Sequence, residues 1–183
     1  NAVEVIVNDG SLGGLTFTNV GDTLQAVGVQ NLLTAQDTTV TFSSTAAVAE
    51  LDLVFENVAG GTVTVANAET VNVFSEIEDS TTGLALADAT TLTFAGDANL
   101  TATLGAVTNG VSLFDASAMD GDLTLTIGAQ SQVLSTTDIS VLGGNGDDTF
   151  TVSAVTQDYT ITLGAGNDTV VDTAITVNDS IEG

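Results

Sequence analysis

The sequence predicts an all-β chain wound as a β-solenoid, or parallel β-roll, with turns of about 20 residues. Three observations carry this expectation. Short alternating runs rich in Thr and Val recur along the whole chain, and such residues suit pleated, half-buried surfaces. In the middle, Val54, Phe74, Phe94 and Phe114 fall at intervals of 20 residues, with a further short strand pattern between successive members. Near the C-terminal end, a glycine-rich loop followed by an aspartate and an apolar residue occurs twice. Aromatic residues make up only 4% of the chain, so the core is expected to be thin and continuous, as stacked turns would have it.

The elements follow in order. Val3, Val5 and Val7 alternate with Glu4, Ile6 and Asn8, which reads as a strand closed by an Asp9-Gly10 turn. Residues 15–18 form another short strand. Leu24, Val27, Val29, Leu32 and Leu33 give a mixed pattern, compatible with a short helix or two brief strands. Residues 38–43 alternate again and are β-branched.

From there the longer period sets in. Residues 47–54, 67–74, 87–94 and 107–114 align, placing Leu51, Val71, Thr91 and Val111 in one column and Leu53, Val73, Thr93 and Leu113 in another. Phe74, Phe94 and Phe114 would then stack as an aromatic ladder. Second strands lie between, at 62–65, 83–86 and 100–104. A β-sandwich with evenly spaced strands is the competing reading; the phenylalanines in register favour the solenoid. The period slips at residues 115–122, then resumes with strands at 123–127, 139–142, 150–152, 159–163 and 169–171. We divide the chain into a strand-rich segment suited to capping or assembly (1–46), solenoid turns (47–135) and glycine-loop repeats (136–183).

Composition excludes much chemistry. The 183 residues include no Lys, Arg, His, Cys, Pro or Trp, and 24 acidic residues give a formal net charge of −24. No internal cation relieves that repulsion, so bound divalent cations are the expected remedy. Nucleic acid and anionic membranes are disfavoured partners, because no basic residue can neutralise a phosphate. Ser-His and Cys-His pairs, Schiff-base lysines, the usual zinc sites and phosphate-clamping arginines are all ruled out. No apolar run is long enough to insert in a membrane as a helix.

The most informative stretch is residues 143–151, GGNGDDTFT, which fits the pattern G-G-x-G-x-D-x-U-x, U being a large apolar residue. Glycines let the backbone curl and turn its carbonyls towards one spot. Asp148 adds a charged oxygen, and Phe150 plugs the loop into a core. An all-oxygen set suits a hard cation, foremost Ca²⁺. A second copy occupies residues 164–170, with Leu163 where the first glycine would stand. A third begins at residues 178–181.

These residues resemble the repeats-in-toxin (RTX) family of secreted bacterial calcium-binding proteins, over about the last quarter of the chain. The resemblance implies a right-handed parallel β-roll with Ca²⁺ held between loops. It also implies metal ligands from Asp148 and Asp168, with backbone carbonyls of Gly144, Gly146, Gly164 and Gly166, and a further site at Asp179. Asp147 and Asn167 would point outward. The spacing departs from a strict series, since Asp148 and Asp168 are 20 residues apart and Asp168 and Asp179 only 11. Asp97, Asp120 and Asp122 are weaker acidic candidates, better read as solvated turns, while the cluster Glu76, Glu78, Asp79 is open between a further ion site and a charged surface.

Residues 114–125, with Asp115-Ala116-Ser117-Ala118 leading through glycine into a strand, resemble a segment of RTX-type bacterial surface-layer proteins. The expectation is therefore a secreted, calcium-dependent structural protein of a bacterial cell surface, not an enzyme. It would assemble with copies of itself into a layer or filament and contact cell-surface polysaccharide. An RTX-type adhesin or spacer that binds glycans, and more remotely a β-helix glycoside hydrolase using paired aspartates, are the alternatives. The start at Asn1 and the stop inside a repeat are expected of a piece of a longer protein.

Overall fold

The computed structural model describes residues 3–8, 15–18, 24–30, 39–105, 110–128, 138–153, 157–172 and 175–183, with side chains from Gln25 onward except at residues 39–40 and 42–47. It contains fifteen strands: β1 (Val3–Asn8), β2 (Leu15–Thr18), β3 (Leu24–Gln30), β4 (Thr39–Glu56), β5 (Ala59–Ser75), β6 (Ser80–Leu86), β7 (Thr91–Gly96) and β8 (Leu100–Leu104). They continue as β9 (Leu113–Met119), β10 (Leu123–Ile127), β11 (Ile139–Leu142), β12 (Thr149–Val152), β13 (Tyr159–Thr162), β14 (Thr169–Asp172) and β15 (Ser180–Glu182). Every strand pairing is parallel. The chain is a β-solenoid with stacked coils of about 21 residues.

Each coil contributes to two rows. Row A stacks β1, β3, the C-terminal halves of β4 and β5, β7, β9, β11, β13 and β15. Row B stacks β2, the N-terminal halves of β4 and β5, β6, β8, β10, β12 and β14. The sequence suggested separate strands at 38–43 and 47–54, and again at 62–65 and 67–74. They run together as β4 and β5, whose mutual register shifts between Ser43 and Val48, where the chain turns from one row to the other. In β5 that turn carries Asn67 at φ 65, a left-handed conformation that asparagine tolerates. Of the mixed pattern from Leu24 to Leu33, residues 24–30 form the strand β3, and Leu32 and Leu33 lie outside the described residues. Residues 115–119, read from sequence as an interruption, continue β9.

The core lies between the rows. Inward positions align in columns that run along the solenoid. In row A one column is Leu51, Val71, Leu92, Phe114, Val141 and Ile161, all buried. In row B one is Val63, Leu84, Leu104, Ile127 and Val152. Each such side chain taken from water contributes roughly 1.5–3 kcal/mol before entropy is counted.

The aromatic ladder expected from the 20-residue period does not form. Val73, not Phe74, lies opposite Phe94, and Phe114 lies opposite Leu92. The coils here are longer than 20 residues, so the strict period drifts out of phase. A one-residue drift turns a side chain to the other face of a strand. Phe74 is accordingly only half-buried, and Thr91 and Thr93 face outward where Leu92 and Phe94 enter the core.

Candidate functional site

The acidic and glycine residues singled out in the sequence, Asp179 excepted, lie at one corner of the solenoid, where the chain passes from row A to row B. Five successive passages lie there: β5 to β6, β7 to β8, β9 to β10, β11 to β12 and β13 to β14. The last two are the glycine loops. Their backbones approach so closely that side chains do not fit. A Cβ on Gly144 would run into the carbonyl oxygens of Met119 and Ala116. One on Gly166, which sits at φ 134, would run into the Gly146 carbonyl. We expect Gly166→Ala to destabilise the chain by about 1–3 kcal/mol from backbone strain alone, read from denaturant unfolding. Gly105→Ala, whose Cβ would meet nothing nearer than Leu84 O at 3.5 Å, should be close to neutral.

Asp148 is the central side chain. It is fully buried, which is unusual for a carboxylate. Its position, immediately before β12, continues an inward column otherwise made of Ser80, Leu100 and Leu123. Two backbone groups satisfy it. Leu123 N–H of the preceding coil donates to Oδ1 at 2.9 Å, and Gly144 N–H donates to Oδ2 at 2.8 Å. Burial pushes its carboxyl above the ordinary aspartate value; the two N–H donors pull the other way, and the neighbouring Asp168 and Asp122 carboxylates add to the rise.

Asp168 repeats the arrangement one coil on, with Oδ1 accepting from Asp148 N–H at 2.9 Å. Asp148, Asp168, Gly144, Gly146, Gly164 and Gly166 are thus brought to one corner. Asp179 is not with them. It precedes β15 at the opposite corner, where its oxygens accept from Tyr159 N–H (2.7 Å) and Thr176 N–H (2.6 Å). Burial works to raise its carboxyl, but these two donors and the Thr176 hydroxyl outweigh it and hold the carboxyl below the ordinary value. Tyr159 itself is pushed up to about 12, first by burial and then by Asp172 and Asp179.

Sequence reasoning missed a second feature of the same corner. One residue ahead of the inward column stands Asp79, Asn99, Asp122, Asp147 and Asn167, one per coil. Each side-chain oxygen accepts the backbone N–H of the next member: Asn99 N–H to Asp79 Oδ1 (3.0 Å), Asp122 N–H to Asn99 Oδ1 (2.8 Å), Asp147 N–H to Asp122 Oδ1 (2.8 Å) and Asn167 N–H to Asp147 Oδ1 (2.8 Å). This Asx ladder pins coil to coil along the solenoid axis. Asp147 and Asn167 are exposed, yet their oxygens and N–H groups are engaged along the stack. The signal was an Asp or Asn one or two residues before each row B strand from β6 to β14. Its members are separated by 20, 23, 25 and 20 residues, so no fixed period reveals it. Of the weaker candidates, Asp79 and Asp122 belong to the ladder, and Asp120 Oδ1 accepts from the Asn145 side-chain amide at 2.6 Å. Glu76 and Glu78 are exposed.

Among the described residues, no three or more acidic side chains are grouped to hold a metal by themselves. A cation at this corner would therefore draw on the loop carbonyls as well as on carboxylates. No family model, characterised protein or solved structure compared with the chain matches it.

Proposed function

We propose that this chain is a calcium-dependent, extracellular structural protein of a bacterial cell surface, assembling with copies of itself into a layer or filament. One observation carries the reading. Asp148 is a fully buried carboxylate flanked by Asp168 and Asp122, in a chain with no cationic side chain. Such a charge is costly to bury alone, and a hard divalent cation is the partner its surroundings call for. The residues fit that role. Both oxygens of Asp148 and Oδ1 of Asp168 keep a lone pair beyond the one given to a backbone N–H. Gly144, Gly146, Gly164 and Gly166, on two stacked loops, would add backbone carbonyls, that of Gly144 while also accepting Ala165 N–H at 2.9 Å. Asp179, at the other corner, would belong to a separate site. Bound Ca²⁺ would supply positive charge and tie successive coils together.

The RTX resemblance of the glycine loops supports calcium and secretion, and that of residues 114–125 supports the surface-layer role. Catalysis is not part of the proposal: the sequence has no His, Cys, Lys or Arg to form a Ser-His or Cys-His pair or to bind an acidic substrate, and paired aspartates are the one catalytic device its composition leaves open.

Because the ligands come together only when coils stack, folding and ion binding are coupled. Starting from a chelated sample, Ca²⁺ addition should raise the β-sheet circular dichroism signal and particle size in step. A rise in β-structure with the chain remaining monomeric would transfer the assignment to an adhesin or spacer arm. No response in either signal would overturn the calcium reading.

A further inference from the structure

The outer face of row B carries a feature that the acidic corner does not explain. Successive coils place Thr101 and Thr103 on β8, Thr124 and Thr126 on β10, and Thr149 and Thr151 on β12. The parallel pairing aligns them in two files, Thr101–Thr124–Thr149 and Thr103–Thr126–Thr151. No register shift interrupts these pairings. Thr169 continues the first file on β14, and Val171 ends the second. All are outward, half-buried or exposed.

Two properties describe this array. It is an unbroken, uncharged threonine array in a chain of net charge −24, whereas the outward positions of row A in the same coils read Thr91–Leu113–Ser140 and Thr93–Asp115–Leu142. Its hydroxyls are also unspent. Thr93 on row A donates to Asn72 Oδ1 at 2.8 Å, and Thr82 and Thr90 donate to backbone carbonyls. None of the six array hydroxyls bonds to another described residue.

The backbone fixes the grid. Neighbouring files are two residues apart along a strand, about 6.6–7 Å, and successive coils about 4.8 Å apart. Every grid point offers one hydroxyl, able to donate and accept, beside one methyl group. Methyl groups leave the water above them bonded to itself, while the hydroxyls anchor that water at regular intervals. Carboxylates would impose their own hydration shells, and there are none within the array. Oxygens on the faces of hexagonal ice repeat at distances of the same order as this grid. We infer that the threonine face of row B binds crystalline water, that is, an ice surface. The inference concerns a different face from the calcium corner and does not depend on the ion.

The test uses the full chain in calcium-containing buffer, with β-sheet circular dichroism confirming the fold. Single ice crystals grown in this solution should become faceted and should show a gap between melting and freezing temperature. Thr126→Tyr, at the middle of the array, should abolish both effects. Thr160→Tyr, an equally outward threonine on row A, should leave them intact. Thr103→Tyr serves as a second array variant should the first not fold. Unshaped ice with the folded wild-type chain would overturn the inference. So would equal losses from the row A and row B variants, and so would retention of a crystalline polysaccharide by the array without any effect on ice.

Discussion

Phe114→Ala is expected to destabilise the chain by about 3–5 kcal/mol, the usual cost of truncating a fully enclosed phenylalanine. Phe114 is 1% exposed and sits in the middle of a column, between Leu92 and Val141. Among the described residues the two rows are the only layers, so no further layer closes over a cavity there. Phe74→Ala makes the discriminating comparison. In a three-membered aromatic ladder the two substitutions would cost alike. In the register seen here Phe74 is half-buried on the outer side of β5, and its loss should cost a clearly smaller amount. Paired urea unfolding of both variants in calcium, with unchanged m-values, checks this. Equal midpoint shifts would contradict the register of β5, β7 and β9.

The same phenylalanines show how far the sequence reaches. Solenoid winding was legible because alternation and recurrence are properties of single strands and of their mean spacing. The row B strands at 100–104 and 123–127 could be read almost to the residue. Register was not legible, because it depends on how many residues each corner consumes. The |i−j| separations along the Asx ladder, 20 then 23 then 25 then 20, vary with corner length, and a fixed 20-residue ruler slides off. The glycine motifs did locate the corner that gathers Asp148 and Asp168. They also suggested Asp179 as a further site. Its place at the opposite corner follows from an 11-residue step, about half a coil, which sets it before a row A strand. What no local motif conveyed is that Asn99, Asp122, Asp147 and Asn167 spend their own backbone N–H groups on the coil before. That partnership exists only once the coils are stacked.

Asp148→Ala is expected to cost about 1–3 kcal/mol for each backbone N–H it leaves buried and unpaired, those of Leu123 and Gly144. Asp148→Asn keeps one acceptor oxygen and should recover part of that loss while removing the charge. The charge has its own signature in pH. Asp148 has a folded-state carboxyl raised above 3.8, so between 3.8 and that raised value the folded chain holds more protons than the unfolded one. Stability contributed by this group is therefore present at the acidic end of the window and lost as pH rises through it. Asp179 has the opposite sense. Its folded-state carboxyl lies below 3.8, so its contribution is present above 3.8 and lost as pH falls through the lowered value. The two windows meet near 3.8 without overlapping. In chelator, the melting temperature should accordingly rise as pH is lowered from neutrality towards about 4 and fall again below it, helped on the upper limb by discharge of the other carboxylates. Asp148→Asn should flatten the upper limb and leave the lower one in place. If the proposed site binds Ca²⁺, saturating Ca²⁺ should flatten the upper limb of the wild-type chain as well, because at neutral pH the ion would take over the charge compensation that a proton gives Asp148 in acid. An upper limb that keeps its slope in Asp148→Asn would assign the effect to general repulsion among the surface carboxylates and remove Asp148 from the centre of the site.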